Sequence, residues 1–236
     1  MKSDLGTRAL TALAMVAVAG VALWLGGWFW AVFVGLIAAG VFWEWRALVQ
    51  AFAQTPLSRA LWNLGGFVYI AVAAFTLLLL RSDFFGILPV LAFVGAVIFT
   101  DIGAYFAGRR FGGPKIAPRI SPSKTWSGLV GGMIGACIIT LIYTQWSLCE
   151  PQGICNVDAI RAALPGSIFT GVMVAVTAQA GDFFESWMKR RAGVKDSGKL
   201  LPGHGGLFDR VDGLLAVAFL SGLIGGSSVL MQAGTL

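Results

Sequence analysis

Long apolar stretches alternate with short polar segments along this chain of 236 residues. No charged residue occurs from residue 9 to residue 43. Further apolar stretches follow at about 60–80, 84–100, 126–146, 166–181 and 213–233. A helix needs about 20 apolar residues to cross the hydrocarbon core of a bilayer, and these stretches are close to that length. The pattern therefore predicts an all-α, polytopic bundle of helices in a membrane.

The first apolar stretch, residues 9–43, is too long for one ordinary span. Gly26 and Gly27 divide it, and tryptophans cluster around this point as they do at a membrane interface. Two spans joined by a tight turn bring the total to about seven, and totals of six to nine are compatible with the pattern. One long tilted helix is the alternative, and it reverses the side on which the N-terminus lies.

The composition excludes a soluble globular domain. Hydrophobic residues make up 57% of the chain and charged residues 12%, and the mean hydropathy is +0.81. The charged share is about half the globular norm, so the polar surface is too small to cover a core. The net charge of +6 lies mostly in short loops between apolar stretches. It therefore indicates the positive-inside bias of a membrane protein and no nucleic-acid partner.

Charge asymmetry predicts the orientation. With seven spans and a cytoplasmic N-terminus, the loops after the second, fourth and sixth spans lie in the cytoplasm. Of the 17 Lys and Arg residues, all except Arg81 and Arg161 then lie on that side, as the positive-inside rule requires. This orientation puts Cys149 and Cys155 outside, where a disulfide survives; two free thiols are the alternative.

Ionisable residues concentrate between residues 182 and 212, together with the one histidine of the chain. Asp182 and Glu185 lie three residues apart at the end of the sixth stretch, so they share a helix face. Asp209 and Asp212 have the same spacing where the seventh stretch begins. Carboxylates at this depth are costly unless they are paired or bind a metal, and hard oxygen donors suit Mg²⁺. The alternative is salt bridging with basic residues of the same segment: Lys189, Arg190 and Arg210.

The loop from Lys195 to Gly206 has the composition of a phosphate-binding loop. Its glycines flank His204 and allow backbone N–H groups to approach an anion closely. Lys195 and Lys199 would neutralise phosphate charge. A flexible loop with an incidental histidine is the alternative.

Two further segments place polar groups beside apolar stretches. Ser121, Ser123 and Lys124 form a rigid, hydroxyl-rich turn before the fifth span, and hydroxyls with a lysine suit phosphate. A helix N-cap with a snorkelling lysine is the alternative there. Asp101 leaves the fourth span and opens a basic loop; residues 101–112 either line a site or form an amphipathic helix at the interface.

Together these segments resemble one family, the phosphatidate cytidylyltransferases, also called CDP-diacylglycerol synthases. The segment 186–212 carries the fixed positions of that family's signature: Ser186, Lys189, Arg190, Lys195, Asp196, Gly198, Pro202, His204, Gly205, Gly206, Asp209, Arg210 and Asp212. The segments 121–126 and 101–106 also resemble parts of the family. The resemblance covers the C-terminal two-thirds of the chain, whereas the first third matches only as apolar spans.

The resemblance implies an enzyme of phospholipid biosynthesis that transfers a cytidylyl group from CTP to phosphatidate. Its products are CDP-diacylglycerol and pyrophosphate, and its cofactor is Mg²⁺ or another hard divalent cation. We expect one integral-membrane domain, 1–236, with N-terminal spans over 1–100 and the catalytic part over 101–236. We also expect membrane lipids and a second copy of the chain as partners. The expected location is the bacterial inner membrane, with the active site facing the cytoplasm, because CTP is cytosolic.

The site residues that the resemblance implies fall into three groups. Catalytic roles are predicted for Asp182, Asp209, Lys195, Asp196 and Arg210. Substrate binding is predicted for Asp101, Ser121, Ser123, Lys124, Lys189, Arg190, His204, Gly205 and Gly206. The predicted metal ligands are Asp182, Glu185, Asp209 and Asp212, from two helices that meet around one cation. Because the lipid phosphate is an ionised nucleophile, we expect His204 to orient phosphate rather than abstract a proton.

Two other functions use a similar inventory of residues. A CTP-dependent polyprenol kinase, or a cytidylyltransferase for another lipid phosphate, needs the same acidic and basic groups. An ion-coupled transporter is the alternative from a different class, since intramembrane carboxylates favour transporters. Against a transporter, the carboxylates cluster near one membrane face rather than in the middle of a span.

Overall fold

The computed structural model describes residues 2–149, 155, 157–201 and 205–233, with side chains for residue 6 and for the described part of 10–225. These residues form seven α-helices and one hairpin. The helices are α1 (Lys2–Leu25), α2 (Gly27–Phe52), α3 (Pro56–Leu80), α4 (Leu88–Phe111), α5 (Trp126–Cys149), α6 (Val157–Ala192) and α7 (Phe208–Ala233). The antiparallel hairpin is β1 (Lys115–Ala117) and β2 (Ser121–Thr125).

The prediction of an all-α, polytopic membrane protein is confirmed. Within the described residues, the five helices α2 to α6 are long and apolar enough to cross a membrane, and residues 10–25 of α1 form a shorter apolar stretch. The outward faces of these helices carry exposed large apolar side chains, which only a lipid environment covers favourably.

The division of the first apolar stretch at Gly26 is also confirmed, and the single tilted helix is not found. Gly26 has φ +65°, a conformation that favours glycine, and it separates α1 from α2. The guanidinium of Arg81 donates hydrogen bonds to the carbonyl oxygens of Leu23 (2.7 Å) and Trp24 (3.2 Å) at the end of α1. This arginine therefore satisfies carbonyl groups that the end of a helix leaves without partners.

Three predicted boundaries were wrong. Asp101 does not open a loop, because α4 continues through it to Phe111 and ends where Gly112 and Gly113 take positive φ. The sixth helix begins at Val157 rather than near residue 166, and Pro165 lies inside it. The predicted turn at Ser121 is the strand β2, because it pairs with β1.

The chain divides into two compact units. The first comprises residues up to 87 and from 181 onward, and the second comprises residues 88–180. The first unit is centred on the aromatic ring of Trp45, which lies 5.8 to 6.3 Å from the rings of four neighbours: Trp62, Tyr69, Phe184 and Phe208. Its indole N–H donates to the carbonyl oxygen of Trp62 at 3.1 Å, so the polar edge of this buried ring has a partner.

In the second unit, α4 and α5 pack backbone against backbone. A Cβ atom on Gly103 would collide with the carbonyl oxygen of Gly131, and one on Gly135 would collide with that of Phe99. Small residues allow this approach in membrane proteins, where van der Waals packing replaces the hydrophobic effect between helices. The close contacts at Gly103 and Gly108 lie in the part of α4 that follows residue 100. A disulfide between Cys149 and Cys155 joins the end of α5 to the residues that precede α6.

Candidate active site

The candidate site of the first unit is built around the ammonium group of Lys189. Lys189 lies one turn after Glu185 on α6, and its Nζ is 2.5 Å from Oε2 of Glu185. The same Nζ lies 2.6 Å from Oδ1 of Asp209, in the first turn of α7. Glu185 is 1% exposed. Lys189 therefore joins carboxylates of two helices, and the predicted alternative of a salt bridge is found for both Glu185 and Asp209.

The second carboxylate oxygen of Asp209 binds the loop from Lys195 to Gly206. Its Oδ2 accepts hydrogen bonds from the backbone N–H groups of Ser197 (2.9 Å) and Gly206 (2.8 Å) and lies 3.0 Å from the hydroxyl of Ser197. Asp209 lies ahead of the apolar stretch of α7. Burial opposes its ionisation, but hydrogen bonds from Lys189 and the two N–H groups help to outweigh burial and lower the pKa of Asp209 to about 2. The carboxylate is therefore held ionised.

Glu44 is a site residue that the sequence reasoning missed. It lies on α2 and is 3% exposed. Its Oε1 accepts from the N–H of Leu207 (3.0 Å), and its Oε2 accepts from the N–H of Phe208 (2.8 Å) and the hydroxyl of Ser197 (3.0 Å). The N–H groups at the start of a helix lack partners and carry partial positive charge, so this carboxylate caps α7 from another helix. The sequence did carry a signal for Glu44: a charged residue between two aromatic residues, next to an apolar stretch, where a charge is costly unless it has a partner.

The carboxylates of this unit provide hard oxygen donors for a cation. The described residues include no group of three or more His, Cys, Asp or Glu side chains that could hold a metal ion. Glu185 has one buried oxygen, Oε1, without a hydrogen-bond partner. Oδ1 of Asp182 lies 3.3 Å from the hydroxyl of Ser186, and Oδ1 of Asp212 accepts from the N–H of Gly213 at 2.8 Å. Mg²⁺ commonly takes one or two protein carboxylates and completes its shell with phosphates and water, so the donor chemistry fits.

The basic side chains predicted for the triphosphate are exposed in the same unit. They are Arg190, Lys195, Lys199 and Arg210. Asp196, also exposed, lies beside Gly205, which has φ +83°. His204 lies outside the described residues, so its role stays a prediction.

The second unit contains a polar cavity of about 570 Å³. Its polar lining residues are Asp101, Tyr105, Arg109, Lys115, Ser123, Lys124, Thr125 and Gln179. Three of the predicted substrate-binding residues are thus brought together, namely Asp101, Ser123 and Lys124. Ser121 starts the same strand but is not among the lining residues.

Several side chains of this cavity were not predicted as site residues. Tyr105 accepts a hydrogen bond from Arg109 at 2.8 Å, which orients the guanidinium. The hydroxyl oxygen of Thr125 accepts from the N–H of Gly128 at 3.1 Å and so caps α5. The hairpin was expected as a loop and a turn, and the fourth span was expected to end near residue 100. The sequence therefore did not indicate that Arg109 and Lys115 line one cavity.

Known proteins resemble this chain over most of its length. The sequence profile of the cytidylyltransferase family matches residues 53–225. A phosphatidate cytidylyltransferase of Brucella suis is 35% identical over 266 aligned residues, which cover 94% of both chains. One of Thermotoga maritima is 41% identical over 168 residues, covering 66% of this chain and 60% of that protein. One of Haemophilus influenzae is 43% identical over 122 residues, covering 51% and 40%.

Proposed function

Because this chain belongs to the cytidylyltransferase family, we propose that it transfers the cytidylyl group of CTP to phosphatidate. In this reaction an oxygen of the lipid phosphate forms a bond to the α-phosphorus of CTP. The bond between that phosphorus and the oxygen bridging it to the β-phosphorus breaks, and pyrophosphate leaves with that oxygen. The products are CDP-diacylglycerol and pyrophosphate. The observation that carries the proposal is the network in which Lys189 of the signature segment joins Asp209 of the same segment to Glu185, which directly precedes it.

The reaction joins two polyanions, so electrostatic clamping and positioning dominate its catalysis. The exposed basic residues Arg190, Lys195 and Arg210 would bind the triphosphate in this proposal, with Lys199 beside them. Ser121, Ser123 and Lys124 would bind the headgroup of phosphatidate. The lipid phosphate is ionised at neutral pH, so the reaction needs no strong general base. The residues therefore act by binding, orienting and neutralising charge.

A hard divalent cation such as Mg²⁺ belongs to this proposal. Asp182 and Asp209 would hold it, and substrate phosphates and water would supply the other ligands, because the four predicted carboxylates form no group of three or more in the described residues. The hard-oxygen chemistry of the two aspartates supports the assignment. When bound, the ion would neutralise charge on the triphosphate and on the departing pyrophosphate.

The location follows from the solubility of the two substrates. CTP is dissolved in the cytosol, and the acyl chains of phosphatidate stay in the bilayer. We therefore place the site at the cytoplasmic boundary of a bacterial inner membrane, with the N-terminus in the cytoplasm. The distribution of Lys and Arg supports this orientation. A homodimer stays a prediction.

The decisive experiment follows radioactive phosphate from CTP into lipid. Purified protein in detergent receives phosphatidate and CTP labelled at the α-phosphate, with and without EDTA. We expect label in the lipid fraction, and we expect EDTA to abolish it and added Mg²⁺ to restore it. Label from the γ-phosphate of CTP should stay out of the lipid; its appearance there would identify a lipid kinase instead. Substrate flux in proteoliposomes without CTP turnover would favour the transporter.

A further inference from the structure

Gln179 is a buried amide on α6 whose role nothing above explains. Its side chain is 4% exposed, and its Nε2 has no hydrogen-bond partner in the described part of the chain. A buried donor without an acceptor destabilises a folded protein, and such groups are rare in native structures. The amide therefore needs a partner that the polypeptide does not supply.

The surroundings of Gln179 offer space. The nearby hydroxyl of Thr100 donates to the carbonyl oxygen of Ala96 at 2.8 Å, and Nε2 of Gln179 makes no hydrogen bond with it. On the neighbouring helix stands Gly132, where a Cβ atom would lie only 3.2 Å from Nε2 of Gln179. A glycine at this position leaves the amide room that any larger residue would restrict.

Gln179 lines the polar cavity of the second unit, and the charges of that cavity indicate its ligand. Three basic side chains, Arg109, Lys115 and Lys124, line the same space as one acidic side chain, Asp101. Ser123 adds a hydroxyl donor. A cavity rich in cations and N–H or O–H donors suits an anion with several acceptor oxygens, and phosphate is the group of this kind in both proposed substrates.

We propose that Gln179 is a substrate-binding residue, whose amide N–H donates to a phosphate oxygen of the ligand in this cavity. The inference rests on the proposed function, because it takes its ligand from the two phosphate-bearing substrates. It adds a residue on α6 that neither the signature nor the resemblance assigns. The phosphate belongs either to the lipid headgroup or to CTP, and the experiment separates the two.

The test compares binding of each substrate to full-length variants in detergent. Gln179→Met keeps the length of the side chain but removes the donor. We expect the Kd of either short-chain phosphatidate or CTP, measured separately by calorimetry, to rise about tenfold, the scale of one lost hydrogen bond to a charged group. The other Kd should stay unchanged. The melting temperature of the ligand-free variant should stay equal or rise, because an unpartnered donor has been removed.

A matched control is available in α3. Asn63 also has a buried amide atom without a partner, Oδ1, and it is not among the residues that line the cavity. Asn63→Leu should leave both Kd values unchanged. Gln179→Glu serves as the second variant, since it keeps the shape of the amide. It should raise the Kd of the same ligand further, because it places a carboxylate against phosphate. Wild-type Kd values for both ligands in Gln179→Met and Gln179→Glu would overturn the inference.

The outcomes also separate this inference from the proposed function. If the wild-type protein binds both ligands but transfers no label from CTP, the proposed function fails, and the Kd values still decide the role of Gln179. If label is transferred and the variants bind both ligands normally, only the inference fails. Wild-type protein that binds neither ligand would overturn both.

Discussion

The ammonium of Lys189 allows two carboxylates from separate helices to lie side by side. Glu185 and Asp209 each approach its Nζ within hydrogen-bond distance, and all three side chains are largely buried. Without the lysine, two negative charges would face each other in a poorly solvated place. Removing one partner of a buried charge cluster costs more than the cluster itself contributes, because the remaining charges keep their desolvation penalty.

Replacing Lys189 should expose this dependence. Lys189→Met should destabilise the protein by about 3–5 kcal/mol, the usual cost of breaking a buried ion pair, and should abolish transfer of label from CTP to lipid. The double variant Lys189→Met/Glu185→Leu also removes the carboxylate of Glu185, which would otherwise be buried without its partner. We expect this variant to recover much of the stability, measured as the melting temperature in detergent, but none of the activity. Full activity in the double variant would show that Lys189 only neutralises Glu185.

Asp182 and Asp209 carry the predicted metal-binding role. Asp182→Asn and Asp209→Asn should each lower turnover by about 10²-fold or more, the scale of one lost electrostatic contact in the transition state. Both should retain the helical circular dichroism of the wild type. Asp158→Asn is the matched control, because this aspartate is exposed and its ion pair with Arg161, at 3.9 Å, contributes little to stability. Turnover close to wild type in purified Asp182→Asn or Asp209→Asn would remove that residue from the metal site.

At the scale of elements, the start of α7 depends on a carboxylate from α2. Glu44 accepts the N–H groups of Leu207 and Phe208, and its partner Ser197 is shared with Asp209. The cap therefore positions the turn of α7 that carries Asp209. It also lies outside residues 53–225, the part of the chain that matches the family model. Because Glu44 contacts the loop rather than a reacting atom, it is a positioning residue.

Substitution of Glu44 should separate positioning from folding. Glu44→Leu leaves two buried N–H groups without acceptors, so we expect a loss of at least about 2 kcal/mol and a marked fall in kcat. Glu44→Gln keeps one carbonyl oxygen and should recover part of both. The KM for CTP should change less than kcat, because the exposed basic residues that are proposed to bind CTP are untouched. A Glu44→Gln variant with recovered stability but the kcat of Glu44→Leu would mean that the charge itself is required.

The glycine contacts between α4 and α5 give a second test at this scale. Gly135→Ala places a Cβ atom against the carbonyl oxygen of Phe99, so the helices must separate. We expect a loss of about 1–3 kcal/mol, as for other overpacked contacts, read as a lower melting temperature. Gly95→Ala is the matched control on the facing helix, because its Cβ would only reach Ile139 at 3.5 Å, an ordinary contact. Equal melting temperatures would contradict the close packing.

At the scale of the whole molecule, the chain is a membrane protein in which two compact units carry different polar features. The first unit holds the carboxylate and lysine network of the signature, and the second holds the basic cavity with Gln179. The exposed apolar side chains of the long helices are compatible with lipid around them. The orientation in the membrane stays a prediction, and the disulfide gives a way to measure it.

The disulfide between Cys149 and Cys155 should lie outside the cell. In intact cells producing Cys137→Ala, which lacks the free cysteine found in the described residues, a membrane-impermeant maleimide should label the protein only after reduction. The same experiment on inverted membrane vesicles should give no labelling before or after reduction. Labelling in inverted vesicles would reverse the predicted topology.

Much of the membrane architecture was predictable, because hydropathy and helix breaks are local properties. The break at Gly26 was correct because two adjacent glycines interrupt an apolar stretch. For residues 101–112 the sequence left a site lining and an interfacial helix as alternatives, because the glycines there pack against α5, a contact that local patterns do not reveal. Likewise, the spacing of Asp182 and Glu185 correctly predicted that they share a helix face. The ion pairs of Lys189 with Glu185 and Asp209, in contrast, were only the alternative to a metal site.

The sequence alone determined the membrane class, the approximate positions of the helices and the resemblance to the cytidylyltransferases. These depend on composition, on periodicity within a few turns and on one contiguous signature. The tertiary structure decided that Glu44 caps α7, over a separation of 164 residues, and that Gln179 meets the hairpin residues in one cavity. Such partners depend on which helix faces meet. The physical reason is that buried polar groups are satisfied in three dimensions, by donors and acceptors far apart in the chain.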